Sequence, residues 1–141
     1  MNKLQYDGNT IYIRDAIACS LSNLGAQEAV PVFIDLIKNP ENIKNIAPLI
    51  LYLSDLDCKE YYTYFVGLIC RSDFHIRCMC QIILEKYSEK VSKELRGESL
   101  RILRNNISIV NSQAPGFYIK PIDVELINQM QFISYGMILL S

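Results

Sequence analysis

At 141 residues the chain has the length of one domain, and half of its residues are apolar, which is enough to build a core. The 14 basic and 15 acidic residues nearly balance, so the basic excess that is typical of nucleic-acid-binding proteins is absent. The first eight residues lack the apolar run of a signal peptide, and the longest apolar stretch is shorter than the ~20 residues that cross a bilayer. Five cysteines, an odd number, favour free thiols in a reducing compartment. We therefore expect one cytoplasmic domain, residues 1–141, that binds neither a membrane nor nucleic acid.

The chain contains an internal repeat. Residues 24–39 and 56–71 align at an offset of 32 residues, with identical Leu, Glu, Phe, Leu and Ile at matched positions. A period of 20–50 residues is typical of stacked-repeat proteins, in which one repeat cannot bury its apolar face alone. The repeat predicts an all-α protein, an α-solenoid of about three antiparallel helix pairs over residues 11–105. The remaining residues, 106–141, are predicted to form an atypical C-terminal cap.

The first predicted pair has clear helix signals. Its first helix ends at Gly25, which takes the position after the helix end, and its second helix covers residues 27–38. Pro31 lies in the first turn of that second helix, where its missing N–H is harmless, and Asn39-Pro40 ends the helix. The apolar positions with helical spacing are expected to form the core; they are Ile13, Ile17, Leu21 and Leu24, then Val30, Phe33, Leu36 and Ile37.

The second predicted pair follows the same plan. A helix over about 41–54 contains Pro48, which predicts a kink or a late start. The next helix, to about Arg71, has Asp57 as its predicted N-cap, and Gly67 in its interior predicts close packing or a bend. The residues expected in the core are Ile43, Ile46, Ile50 and Leu53, then Tyr62, Phe65, Leu68 and Ile69.

The third predicted pair opens at Asp73, another N-cap candidate. Its first helix places Ile76, Cys80, Ile83, Leu84 and Tyr87 on one face. Its second helix, about 89–105, is more polar, and its basic residues alternate with glutamates, which favours a solvated face. After it, Pro121 starts a helix-like pattern, while the apolar stretch from Phe132 to Leu140 fits either a helix or an extended segment.

The first pair resembles a bacterial HEAT-like repeat. The resemblance rests on Ile-Arg-Asp-Ala-Ile at residues 13–17, Asn-Leu-Gly at 23–25 and Glu-Ala-Val-Pro at 28–31. It implies a scaffold for protein contacts, although a few such repeats are enzymes. Asp-Cys-Lys-Glu-Tyr-Tyr at 57–62 also resembles small bacterial HEAT-like proteins that occur near toxin–immunity genes. The resemblance thus implies a protein-binding module, in its sharper form an immunity-type protein that neutralises a toxin.

Catalytic and metal-binding motifs are weak. His75 and Cys78 could share a helix face, but a zinc site needs four ligands and the chain offers no second pair. His75 with Cys19 or Cys58 lacks the flanking signature of a nucleophile and base. We therefore predict no metal, no cofactor and no catalytic residue. The alternative is a small HEAT-like enzyme, either a cysteine-dependent lyase or a nucleic-acid glycosylase.

The predicted partner surface lies on the second helices of the first two pairs. Opposite their core stripes these helices present charged residues and one tyrosine, and such residues provide interface anchors and specificity. Tyr64 is the predicted anchor. The predicted partner-binding residues are Glu28, Asp35, Lys38, Glu60, Tyr64 and Arg71.

Overall fold

The described part of the chain is built from helices and the turns between them. The structure, a computed structural model, describes residues 8–113, 129–134 and 137, and these residues include no β-strand. The all-α prediction is confirmed at this level. The chain divides into two units, Met1–Cys58 and Lys59–Ser141. Within the described ranges, no helix combines the length and the apolar character that crossing a membrane requires.

The described residues of the first unit, 8–58, form three α-helices. Helix α1 spans Gly8–Asn23, α2 spans Val30–Lys38 and α3 spans Ala47–Leu53. Short 3₁₀ turns at Gln27–Ala29 and Pro40–Asn45 precede α2 and α3. Helix α3 contacts both α1 and α2. The most deeply buried side chains of this unit are Phe33, Ile34, Ile37, Ile46, Leu49, Ile50 and Leu53.

The turn after α1 has the geometry that the sequence predicts. Gly25 has a φ of 65°, a left-handed conformation that side chains rarely adopt. The N–H of Ala26 donates to the carbonyl of Leu21 at 3.0 Å, and the N–H of Gly25 donates to that of Ser22 at 3.0 Å. These two bonds are the Schellman pattern, which satisfies carbonyls at a helix end. The prediction that Gly25 ends this helix is confirmed.

Prolines determine where α2 and α3 begin. Pro31 and Pro48 each lie in the first turn of their helix, where the absent N–H costs nothing. The predicted helix over 41–54 therefore starts late, since residues 40–45 form a 3₁₀ turn and the α-helix begins at Ala47. Asn39 ends α2, and its side chain accepts a hydrogen bond from the N–H of Glu41.

Side chains tie the turns of the first unit together. The amide of Gln27 bonds to both the N–H and the carbonyl of Asp57, at 2.9 and 2.5 Å. Five residues earlier, the hydroxyl of Ser22 donates to the carboxylate of Asp55 at 3.1 Å. These contacts join the turn after α1 to the turn after α3.

Part of the predicted core of the first unit is wrong. Ile13 is 61% exposed, Ile17 is 56% exposed and Leu24 is 80% exposed, although helical spacing placed all three in the core. The buried face of α1 instead runs through Ala18 and Ser22. Ile43 is also exposed because it lies in the 3₁₀ turn rather than on a continuous helix. The remaining predicted core positions of α2 and α3 are buried, apart from Leu36, which is half-buried.

The second unit is arranged around one central helix. After a 3₁₀ turn at Lys59–Tyr61, α4 spans Tyr62–Arg71, α5 spans Phe74–Tyr87 and α6 spans Lys93–Gln113. Helix α4 contacts both α5 and α6. The core predicted for α4 and α5 is confirmed, since every one of its residues is buried: Tyr62, Phe65, Leu68 and Ile69, then Ile76, Cys80, Ile83, Leu84 and Tyr87.

Capping side chains fix the starts of α5 and α6. The side chain of Asp73 accepts from the N–H of Ile76 at 3.0 Å, which confirms its predicted role. The hydroxyl of Ser92 accepts from the N–H of Leu95 at 3.2 Å. The last predicted helix, about 89–105, is therefore displaced: α6 begins at Lys93 and continues to Gln113.

The C-terminal segment is described in part. Residues 129–134 and 137 are helical, so the described portion of the Phe132–Leu140 stretch is helix rather than extended chain. Gln129 binds the buried Arg77 of α5, whose Nε donates to the side-chain oxygen of Gln129 at 2.9 Å. The amide of Gln129 then donates to Gln81 at 2.8 Å. The helix predicted to start at Pro121 lies outside the described residues.

Candidate functional site

The first unit has an apolar groove between α1 and α2. Its α1 wall is formed by Ile13, Ile17 and Leu21, which are spaced four residues apart and therefore lie on one side of the helix. Its α2 wall is formed by Val32 and Leu36 with their neighbours. The groove has a volume of about 300 Å³, and its deeper lining comes from Ala18, Ala29, Phe33 and Leu49.

The walls of the groove are exposed to a degree that is unusual for aliphatic side chains. Ile17 is 56% exposed and Val32 is 58% exposed, and they lie on opposite walls. A second depression, lined by Ile13, Ala16, Ile17, Ser20 and Leu21, extends the apolar surface to the outer side of α1. Contiguous apolar surface of this kind marks sites where proteins bind ligands or partners.

Two acidic residues lie close to the α2 wall of the groove. Glu28 is in the 3₁₀ turn before α2, next to the lining residue Ala29, and Asp35 is on α2, three residues after Val32. Both are exposed, and neither forms an ion pair with a described residue. The α1 rim, at Ala16 and Ser20, is uncharged.

The one basic residue that lines the groove has its charge balanced. The guanidinium of Arg14 pairs with the carboxylate of Asp15 at 2.8 Å and donates to the carbonyl of Asn45 at 2.6 Å. Arg14 therefore links α1 to the 3₁₀ turn before α3. The uncompensated charge beside the groove comes from Glu28 and Asp35.

The six residues predicted to bind a partner fall into two sets, three in each unit. In the first unit Glu28 and Asp35 are next in sequence to groove-lining residues, whereas helical geometry places Lys38 on the side of α2 away from the groove. In the second unit Glu60 and Arg71 are exposed, and Tyr64 is half-buried. The structure brings Tyr64 together with Arg71.

Tyr64 and Arg71 form a stacked pair along α4. The guanidinium of Arg71 lies 5.4 Å from the centre of the Tyr64 ring, a cation–π distance. Gly67 lies between them, and a Cβ at this position would come within 3.2 Å of Nη1 of Arg71. The glycine thus leaves room for the arginine, which agrees with the predicted close packing. Tyr64 also packs edge-on against Phe65 at 5.6 Å, and burial raises its pKa above the usual value.

Two thiols of the second unit, Cys70 and Cys80, lie in surroundings that oppose ionisation. Burial raises the pKa of Cys70 to about 11 and that of Cys80 to about 12. A nucleophilic cysteine needs the opposite shift. Among the described residues, no three His, Cys, Asp or Glu side chains group closely enough to hold a metal ion.

The predicted basic face of the last helix is interrupted by burial. Arg96 was expected on a solvated face with the neighbouring lysines, but it is only 6% exposed. Its guanidinium donates to the carbonyls of Ser88 and Val91 in the turn between α5 and α6. Arg96 therefore stabilises that turn instead of extending a basic surface.

Comparison of the chain with protein-family models, with curated proteins and with solved structures found no match. The interpretation of the groove therefore depends on the residues of this chain alone. Sequence reasoning missed Ile13, Ile17 and Val32 as surface residues. Val32 was the available signal, because it is apolar and lies outside the predicted core stripe of α2.

Proposed function

We propose that this chain is a non-enzymatic protein-binding module. The observation that carries the proposal is the apolar groove of the first unit, where Ile13, Ile17 and Val32 remain more than half exposed. Leaving such surface in water forgoes the ~25 cal/mol per Å² that burial provides. A partner that covers the groove recovers this free energy.

The proposed architecture is the HEAT-like α-solenoid of about three helix pairs with a C-terminal cap. It is supported by the repeat of 32 residues and by the contacts from Gln27 and Ser22 to the turn after α3. Successive turns lie side by side in a stacked repeat, and each repeat contacts its neighbours. Such arrays present extended surfaces for partners.

The proposal is tested with a groove variant. The purified protein, with an N-terminal affinity tag, is incubated with lysate of its native host beside the double variant Ile17→Ser/Val32→Ser. A captured protein is then purified and its binding remeasured with both forms. We expect the variant to weaken binding at least tenfold, about 1.4 kcal/mol, since it removes the apolar walls. A partner that binds both forms equally would place its site elsewhere on the chain.

In its sharper form the partner is a toxin, and the protein is a cytoplasmic immunity-type protein. The support for this form is the resemblance at residues 57–62. The test is to express the product of the neighbouring gene in a bacterial host with and without this chain. We expect growth arrest without the chain and rescue with it. Arrest that the chain does not relieve contradicts the immunity role but leaves the general binding function open to the capture experiment.

A lyase that used Cys70 or Cys80 as its nucleophile is disfavoured, because burial raises the pKa of both thiols. The cysteine-dependent alternative as a whole needs a test of all five thiols. It is tested by mapping alkylation with iodoacetamide at pH 7.5 by mass spectrometry. We expect each of the five thiols to react no faster than free cysteine, and Cys58 and Cys80 to react slowest because they are buried. One thiol that reacts far faster than free cysteine contradicts the proposal and favours the lyase.

A further inference from the structure

The groove of the first unit has the shape of a helix-binding site. Its walls are two helices, and its apolar residues on α1 repeat every four residues over two turns, at Ile13, Ile17 and Leu21. A helix laid in such a groove presents apolar residues with the spacing i, i+3, i+4 and i+7. An extended strand would instead need an exposed sheet edge, and the described residues contain no sheet.

The charges around the groove select the kind of helix. Glu28, in the turn before α2, and Asp35, on α2, are exposed neighbours of the lining residues Ala29 and Val32, and neither has an ion-pair partner among the described residues. Arg14 is compensated by Asp15 and by the carbonyl of Asn45. A bound helix therefore meets apolar walls and two free carboxylates on one side.

We propose, resting on the protein-binding function above, that the groove binds a basic amphipathic helix of a partner protein. The apolar face of that helix contacts Ile13, Ile17 and Val32. Lysine or arginine residues beside its apolar face pair with Glu28 and Asp35. Complementary charges at such a rim set the orientation of the helix and its preference over acidic competitors.

The same charges distinguish this partner from a second copy of the chain. The exposed apolar face of α1 has Ala16 and Ser20 at its edge, and neither provides a positive charge for Glu28 and Asp35. The first unit thus supplies acidic groups to the groove and leaves the basic groups to the partner.

The test uses two synthetic peptides of about 18 residues, five helical turns. Both carry leucine at i, i+3, i+4 and i+7; one has lysines beside this face and the other has glutamates at the same positions. Binding to the full-length protein is measured by fluorescence anisotropy at low salt. We expect the lysine peptide to bind at least about tenfold more tightly, and this ratio to shrink at high salt because the rim charges are exposed.

Variants separate the contribution of the apolar walls to peptide binding from that of the two carboxylates. Ile17→Ser/Val32→Ser should abolish binding of the lysine peptide, while Glu28→Gln/Asp35→Asn should reduce its advantage over the glutamate peptide to less than about threefold. Two matched controls should change neither peptide's affinity by more than twofold. Leu51→Ser/Ile82→Ser removes exposed apolar side chains outside the groove, and Glu41→Gln/Glu98→Gln removes two exposed charges elsewhere. All of these positions are exposed, and circular dichroism checks the fold of each variant.

Four results overturn the proposal. They are equal binding of the two peptides, binding of neither, an unchanged preference in the Glu28/Asp35 variant, and a homodimer in sedimentation that Ile17→Ser/Val32→Ser dissociates. If a captured partner depends on Ile17 and Val32 but not on Glu28 and Asp35, the basic-helix inference fails and the protein-binding function stands. If a captured partner does not depend on the groove, the basic-helix inference fails as well, and the protein-binding function itself fails if the wild-type chain captures no partner.

Discussion

Helices α1 and α5 carry similar apolar stripes and differ in what covers them. On α5 every residue of the predicted stripe is buried, and Ile76 is only 5% exposed. On α1, Ile13 also belongs to the predicted stripe, yet it is 61% exposed. The difference arises because α5 packs against α4, whereas the stripe of α1 forms one wall of a groove. Helical periodicity therefore identifies an apolar helix face that is expected to be buried. It does not identify which other element, or which partner, buries that face.

The largest effect should come from the same substitution on both helices. Ile83→Ala removes a fully buried side chain of α5 and should lower the free energy of unfolding by about 2–5 kcal/mol. Ile17→Ala should lower it by less than about 0.5 kcal/mol, since Ile17 is already solvated. Urea denaturation followed by circular dichroism measures both. Similar losses for the two variants would mean that the groove is filled in the isolated protein. That result would contradict the difference in burial between α1 and α5.

The loss of stability expected at Tyr64 is intermediate between those at Ile83 and Ile17. The ring of Tyr64 is half-buried, packs on Phe65 and carries the guanidinium of Arg71, so Tyr64→Ala should lower the free energy of unfolding by about 1–2 kcal/mol. Tyr64→Phe keeps the ring and should cost less than about 0.5 kcal/mol. If a purified partner is bound by the α4 surface, Tyr64→Phe is the variant to use, because it separates the hydroxyl from the packing. An unchanged melting temperature in Tyr64→Ala would identify the ring as a surface group.

Alkaline pH should weaken the second unit. Burial raises the pKa of Cys80 to about 12 from its usual value near 9, so the folded state keeps a proton that the unfolded state loses. The resulting stability is fully present below pH 9 and is lost as the pH rises toward 12. The expected loss is about 1 kcal/mol for each pH unit in that window. Urea midpoints at pH 8, 9 and 10 measure this slope, which Cys80→Ala should reduce; an equal slope in the variant contradicts the assignment.

The smallest effect should come from two helical glycines of the second unit. Replacing a helical glycine by alanine stabilises by up to about 1 kcal/mol when space is open. An alanine Cβ at Gly97 meets nothing within 4 Å, whereas one at Gly67 comes within 3.2 Å of the Arg71 guanidinium. Gly97→Ala should therefore raise the melting temperature more than Gly67→Ala does. The reverse order would show that Arg71 moves away without cost.

The sequence correctly predicted the local features at three helix ends. Gly25, Pro31 and Asp73 act within one turn of their own helix ends, so their effects depend on neighbours along the chain. The burial of Arg96 could not be predicted in this way. It depends on the carbonyls of Ser88 and Val91, which accept hydrogen bonds from the guanidinium in the folded turn between α5 and α6.

The sequence indicated some of the charges beside the groove and none of its apolar walls. Glu28 and Asp35 were predicted as exposed charges, and the structure leaves both exposed, next in sequence to the groove-lining residues Ala29 and Leu36; their role in binding stays a prediction. The apolar walls were missed because Ile13 and Ile17 fit the periodicity of a core, and periodicity carries no information about the third element that would have to cover them. The choice of Tyr64 as an anchor for a partner stays a prediction.

The bidentate contact from Gln27 to Asp57 bears on how this chain can vary during evolution. Gln27 bonds to the main-chain N–H and carbonyl at position 57, so this contact does not depend on which side chain position 57 carries. Substitutions at position 57 can preserve it, except proline, which has no N–H to donate. At position 27 the requirement is strict, because only an amide side chain of this reach offers a donor and an acceptor together. Divergent relatives should therefore retain glutamine at position 27, whereas the residue at position 57 should vary.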